Sequence, residues 1–350
     1  MENQQADTRR QSSAVKRILR RTSFVQTKGE HLTDISRRSF LRWSAIAGTA
    51  AGIAEAIPAA FASDSHARAP HIKFPTAVRE RIAVASWPFR AYLESADNKY
   101  PDKSQSGMDL KDFAAHVVKE FHIYNIEPLS SHFSSTLPDY LHQFREAVDK
   151  AGSHVIDIPV DGRDSFYDPD TAARKRAVDR AKQWIDIATV LGSPSIRYHI
   201  AGADNVKPDV QLTAAGLRQV AEYGAARNVV VNLENDDLVT EDAFFILRLI
   251  EKVNHPYLHA LPDFCNSMLT GNADFNYRAV KAMFQHAYNI CHVKDSEVGD
   301  GGKVFKVDVP KTFNILKASG FRGYCSMEWE GGGNPYDGTR KLIEYTLKYL

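Results

Sequence analysis

"NVVVNLEND", residues 228–236, is a β-branched, apolar run that ends in acids and is followed by a helical pattern. A short run that is apolar on both faces and ends at turn residues reads as a strand of a parallel sheet. The same motif recurs in "RIAVASWPF" (81–89), "HIYNIEPL" (122–129), "SHVIDIPV" (153–160) and "SPSIRYHI" (193–200). It continues in "LHALPDF" (258–264), "NICHVKD" (289–295) and "GYCSMEWE" (323–330). Helical patterns fill the gaps. "DLKDFAAHVVKEF" has Asp109 as a cap, "PDYLHQFREAVDKAG" opens on Pro138 and closes on Gly152, and "TEDAFFILRLIEKV" has Thr240 as its start. The runs start roughly 30 to 40 residues apart, the length of one strand–helix unit. Eight such units predict α/β architecture, a single (β/α)8 TIM barrel over residues 81–350. An open doubly wound sheet would carry a glycine-rich phosphate turn after its first strand. Here that segment is "RAYLESADNKYPDKSQSG", with no G-x-G-x-x-G.

The front of the chain has a different character. "SRRSFL" (36–41) is followed by an Ala/Gly-rich apolar segment and an A-x-A arrangement at Ala60 and Ala62. This is the layout of an export signal, and the paired arginines point to the twin-arginine route. The apolar stretch holds Glu55 and Pro58 and is too short and polar to span a membrane well. Residues 1–62 are therefore expected to be removed, residues 63–80 to form an N-terminal extension, and the mature protein to be periplasmic without stable membrane insertion. The formal charge of +1 hides this basic leader. Without it, residues 63–350 are mildly acidic, which argues against a nucleic-acid partner. The three cysteines, Cys265, Cys291 and Cys325, lie in or beside apolar runs and read as core residues rather than a disulfide framework.

In a barrel of this kind the active site lies at the carboxyl ends of the strands. The last four strands present Glu234, Asp263, His292 and Glu328 there, at steps of 29, 29 and 36 residues. One residue per βα unit puts all four at similar height around the mouth. Any one of these acids reads more simply as a cap or a loop residue; four at unit spacing do not. Crowded carboxylates repel one another unless a cation sits among them. Two Glu, one Asp and one His are hard or borderline donors, suited to one divalent ion such as Mn²⁺, Mg²⁺, Co²⁺ or Zn²⁺. A single imidazole ligand would need its second nitrogen oriented by a neighbour. Strand alternation also places Glu330 on the side of Glu328.

These motifs, "NLEND", "LPDFCNS", "HVKD" and "KVDVPKTFNILKASGFRGYCSMEWEG", resemble the xylose-isomerase-like TIM-barrel family, which includes sugar isomerases, epimerases and dehydratases. The resemblance runs from about Arg81 to the C-terminus and is strongest after Asn228. It implies that Glu234, Asp263, His292 and Glu328 are metal ligands and that Glu234 and Glu328 move the proton. It departs from the family at Asn266, where members often carry a His, and after His292, where only Lys294, Lys303 and Lys306 replace a usual Arg. Trp87, Glu127, His199, Asn266, Lys294 and Glu330 are the candidates for substrate contact. Arg197 shares a strand face with His199 and reads equally as a core pair.

The implied function is metal-dependent isomerisation or epimerisation of a keto-sugar or related polyol through an enediolate. A dehydratase or lyase acting on a keto-sugar or inosose, and a non-catalytic sugar-binding barrel, remain the alternatives. A DNA-repair-type nuclease would want more histidines and a basic surface. The expected partner is a small carbohydrate, with homo-oligomerisation left open.

Overall fold

A computed structural model describes residues 68–105 and 107–350; the twin-arginine segment and residues 63–67 lie outside the described residues. The strands are β1 Ile82–Ala85, β2 Asn125–Glu127, β3 His154–Val155, β4 Pro159–Val160, β5 Ser195–Tyr198 and β6 Val230–Glu234. They continue with β7 Leu258–Leu261, β8 Ile290–Val293, β9 Ser296–Val298, β10 Val304–Lys306 and β11 Tyr324–Met327. Parallel pairing runs β3-β2-β1-β11-β8 on one side and β4-β5-β6-β7 on the other. The ring closes at two seams. The His292 amide donates to Pro262 O at 3.0 Å and the Phe264 amide to His292 O at 3.2 Å, joining β7 to β8. At the other seam the third run is shared: Ile156 N bonds Ile126 O at 3.1 Å, and Arg197 N bonds Ile158 O at 3.1 Å. The predicted third strand is thus split into β3 and β4, because its two halves turn to different neighbours.

The helices are α1 Phe113–Phe121, α2 Pro138–Lys150, α3 Thr171–Leu191, α4 Val210–Ala225, α5 Ala243–Val253, α6 Ala273–Phe284, α7 Val309–Ser319 and α8 Pro335–Tyr349. Each follows its strand as the spacing predicts. Asp170, Asp209, Asp242, Asn272, Asp308 and Asn334 accept hydrogen bonds from the amide of the second or third residue of their helices. That satisfies donors the first helical turn leaves open. Asp109 caps the short 3-10 turn that leads into α1. Thr240 does not start α5: Asp242 does, accepting from the Phe244 and Phe245 amides at 3.1 Å. Thr240 instead bonds Asp237, and Glu241 turns into the protein with no exposure. No helix among the described residues is long and apolar enough to cross a membrane.

Most of the core lies between sheet and helices. A small apolar plug, Ala83, Ile156, Leu261 and Ile290, packs separately from it. Buried polar groups bridge the barrel elsewhere. Asn289 donates to Ser195 Oγ at 2.7 Å, Ser195 Oγ donates to Asp157, and Asn232 donates to Asp157 Oδ1 at 3.2 Å. All three cysteines are free and buried, as their apolar surroundings predict.

Two local features escape the periodicity. The chain leaves the first strand at Ala85, and Trp87–Phe89 form a 3-10 turn. Trp87 then faces the barrel mouth, whereas Phe89 packs against Phe113 and Tyr336, with ring centroids 5.8 and 5.1 Å apart. The loop "SEVGDGGKVFK" folds into an antiparallel hairpin, β9 on β10, with Ser296 opposite Lys306.

Candidate active site

At the carboxyl ends of the strands a cavity of about 320 Å³ opens between Trp87, Arg197, Glu234, Lys294 and Glu328. Glu234 ends β6, His292 is the third residue of β8, and Glu328 directly follows β11. Asp263 lies just past β7, fixed by two bonds to its Oδ1, from the Cys265 amide at 2.8 Å and the Asn266 amide at 2.6 Å. Each of these four residues offers one ligand atom, and the four atoms lie within 4.8 Å of one another.

The hydrogen bonds show how the group is held. His292 Nε2 lies 2.9 Å from Glu127 Oε1. Its Nδ1 lies 2.8 Å from Glu234 Oε1 and 3.1 Å from Glu328 Oε2. Glu127 is therefore the neighbour that orients the second imidazole nitrogen. Glu127 lines the cavity, as a substrate-contact candidate would, yet is itself fully buried, with its other oxygen taken by the Ser326 hydroxyl, so it also acts on the site through His292.

Each glutamate has its own cation. Arg197 Nε donates to Glu234 Oε2 at 2.6 Å, and its terminal nitrogen reaches Asp236 at 2.7 Å. Lys294 Nζ lies 3.0 Å from Glu328 Oε2, 3.1 Å from Glu297 and 2.9 Å from Asn266 Oδ1. Burial alone would raise the pKa of both glutamates. Arg197 and His292 outweigh it at Glu234, and His292 and Lys294 at Glu328, so both stay below the ordinary carboxylate value. Burial would likewise lower His292, yet Glu127, Glu234 and Glu328 hold it well above its usual value.

Asp263 is the exception. Burial, then the Glu234 and Glu328 charges, push it up to about 8 against the pull of Lys294. Its Oδ2 is buried without a hydrogen-bond partner among the described residues, with Lys294 Nζ 3.8 Å away. An orphaned carboxylate oxygen facing three other donors is what a divalent cation would satisfy. The oxygen-rich donor set, and an imidazole whose far nitrogen is already held by a carboxylate, fit such an ion.

Asn266 lies on the 3-10 turn after β7, donating to Glu234 Oε1 at 3.3 Å and accepting from Lys294, so it occupies the interior of the site. Trp87 and Glu330 both line the cavity and bond each other through the indole N–H. Glu330 also binds Arg90 at 2.8 Å, whose guanidinium stacks 4.2 Å over the Trp87 ring. His199 does not line this cavity: it sits 2.6 Å from Glu241 and borders a neighbouring crevice. Sequence reading missed Asp161, Asp236 and Glu297, which also line the cavity. Asp161 and Asp236 directly follow β4 and β6 by one and two residues. That strand-end position was their only signal, and many surface acids share it.

Fold and site together define a (β/α)8 barrel with an acid-rich, cation-fitting centre at its mouth. The chain belongs to the xylose isomerase-like TIM barrel family, whose sequence profile matches residues 118–349. No curated protein sequence matches the chain. Among solved structures it resembles the D-allulose 3-epimerase of a Methylomonas species bound to D-allulose, at 12% identity, covering 79% of this chain and 99% of that one with a TM-score of 0.60. It also resembles a xylose isomerase-like TIM barrel protein of Mycobacterium smegmatis in complex with magnesium, at 15% identity, 77% and 97% coverage and a TM-score of 0.56. A third is the probable 3-DHS dehydratase of petrobactin synthesis from Bacillus anthracis, at 16% identity, 75% and 97% coverage and a TM-score of 0.54. At these identities the likeness is one of fold.

Proposed function

We propose that the protein is a metal-dependent isomerase or epimerase that moves a proton at a carbon next to a carbonyl in a keto-sugar or related polyol. The observation that carries this reading is the convergence of Glu234, Asp263, His292 and Glu328, with Asp263 Oδ2 lacking a hydrogen-bond partner among the described residues. A bound divalent ion would supply electrophilic stabilisation of the charge that develops on the substrate oxygen. Family membership and the epimerase and dehydratase neighbours support the same class of chemistry.

Glu234 and Glu328 come from β6 and β11, with β7 and β8 between them in the ring, so they reach the cavity from different sides. With Arg197 beside one and Lys294 beside the other, both rest as carboxylates and either can accept a proton. Return of the proton to the opposite face of the same carbon gives an epimer. Return to the adjacent carbon gives an aldose–ketose pair. The Trp87 ring offers an apolar wall for the sugar, held in place by Glu330 and Arg90.

The test has two stages. Metal analysis of the purified protein should find stoichiometric divalent metal. Proton NMR in D₂O with a panel of keto-sugars should then show deuterium entering the carbon next to the carbonyl. A sugar that binds the metal-loaded protein without any exchange would refute the reading. We also propose export by the twin-arginine route, on the "SRRSFL" segment alone. Replacing Arg37 and Arg38 together by Lys should keep the protein in the cytoplasm, and unchanged fractionation would overturn that proposal.

A further inference from the structure

Beside the cavity, on the same face of the barrel, a second crevice of about 280 Å³ lies between the loops that follow β1, β4 and β5. The two spaces meet at Asp161, which lines both. Substrates of barrel enzymes approach over this face, so a side space adjoining the cavity at Asp161 is positioned to hold the rest of a molecule whose reacting carbons sit deeper.

The chemistry of the crevice is set by four basic side chains, Lys99, Arg163, Arg180 and His199, and by Asp97 and Asp161. Two of the bases are already matched. Arg163 pairs with Asp97 at 2.6 Å. His199 rests on Glu241 at 2.6 Å, with Asp236 at 3.7 Å. Arg180 is not matched. It projects half-buried from α3 and spends its Nε on the Asp161 carbonyl at 2.8 Å. Among the described residues its terminal nitrogens have no hydrogen-bond partner, and neither Arg180 nor Lys99 forms an ion pair. Burial, then the nearby Arg163, hold the Arg180 pKa below its ordinary value against the pull of Asp161 and Asp97. A guanidinium with its fork free is the side chain best shaped for a carboxylate or phosphate. The Asp161 carboxylate accepts no hydrogen bond among the described residues, and Asp161 lines both spaces.

We propose that this crevice is a second substrate subsite, in which Arg180 with Lys99 binds an anionic oxygen group, a phosphate ester or a carboxylate, carried by the sugar that reacts in the cavity. Asp161 then accepts a hydrogen bond from a hydroxyl between the two spaces. This rests on the keto-sugar reading above and narrows it to acidic sugars.

The experiment is isothermal titration of the metal-loaded full chain with D-fructose, D-fructose 6-phosphate and D-tagaturonate, together with Arg180→Ala, Arg180→Lys and Lys99→Ala. At least one acidic sugar should bind roughly tenfold or more tightly than D-fructose. Arg180→Ala should remove most of that preference while leaving D-fructose binding unchanged, and Arg180→Lys should keep part of it. Lys99→Ala, at an exposed position that carries no packing, should weaken the acidic sugar severalfold. The phosphate and carboxylate arms identify which acid the site takes. Acidic sugars that bind no better than D-fructose, or a preference that survives Arg180→Ala, would overturn the proposal. Proton exchange is read separately: Arg180-dependent binding without exchange would sink the isomerase reading and leave the subsite standing.

Discussion

Replacing Glu127 by Gln is the most informative single change, because of the four candidate ligands Glu127 bonds His292 alone. In the native site His292 Nε2 donates to a buried carboxylate at 2.9 Å, which leaves Nδ1 aimed at Glu234 and Glu328. Gln keeps the shape and can still accept from Nε2, but the acceptor is now neutral. A hydrogen bond to a charged group is worth about 1.5–3 kcal/mol and a neutral one about 0.5–1.5 kcal/mol. The difference, about 1–1.5 kcal/mol, lowers the basicity of Nδ1 as a ligand and corresponds to roughly tenfold weaker metal binding. That falls at the low end of the 10–100-fold range typical for outer-shell partners of metal ligands. The assay is a competitive chelator titration, with thermal unfolding of the metal-stripped variant as a control for folding. A variant that folds normally and binds metal within twofold of wild type would refute the view that Glu127 sets the imidazole.

Other outcomes follow from the same geometry. Glu234→Gln and Glu328→Gln should each retain sugar binding while slowing deuterium exchange by about 10²–10⁴-fold; loss of neither binding nor exchange would exclude them as proton carriers. His132 is buried beside Ser86, and burial, then Arg90, hold its pKa at about 3, below the ordinary 6.5. The folded protein therefore keeps it neutral while the unfolded chain protonates. The associated stability is intact above about pH 6.5 and falls as the solution is acidified, by about 2 kcal/mol at pH 5. Urea melts at both pH values should show His132→Asn losing less than wild type. Gly338→Ala on α8 would drive a Cβ into the Trp329 ring, which packs behind the strand end. Overpacking of this kind costs about 1–3 kcal/mol, readable as a lower denaturation midpoint.

Much of the architecture was legible from local chemistry. Eight apolar runs separated by capped amphipathic segments leave few arrangements other than a parallel barrel, since both faces of each strand must be buried. Glu234, Asp263, His292 and Glu328 were legible for a related reason: each falls near the carboxyl end of its strand, one per βα unit, and those ends lie at one height around the mouth. The same regularity could not show that 153–160 divides between two neighbours, or that 296–306 folds back as a hairpin. Those outcomes depend on which backbone groups remain unpaired once the ring has closed.

The sequence by itself determined the ring and the residues presented at its mouth, because strand alternation and repeat length are properties of the chain. Only the tertiary structure decided what each side chain does there. Glu127 and His292 are 165 residues apart and meet at 2.9 Å. Arg197 lies against Glu234 instead of a core partner, and Lys294 lies against Glu328 instead of a free substrate. Arg180 keeps its fork open while Arg163, on the same crevice, does not. Pairing of buried charges is settled by distances across the barrel, where low dielectric makes every unmatched group costly, and those distances exist only after all eight units have closed on one another.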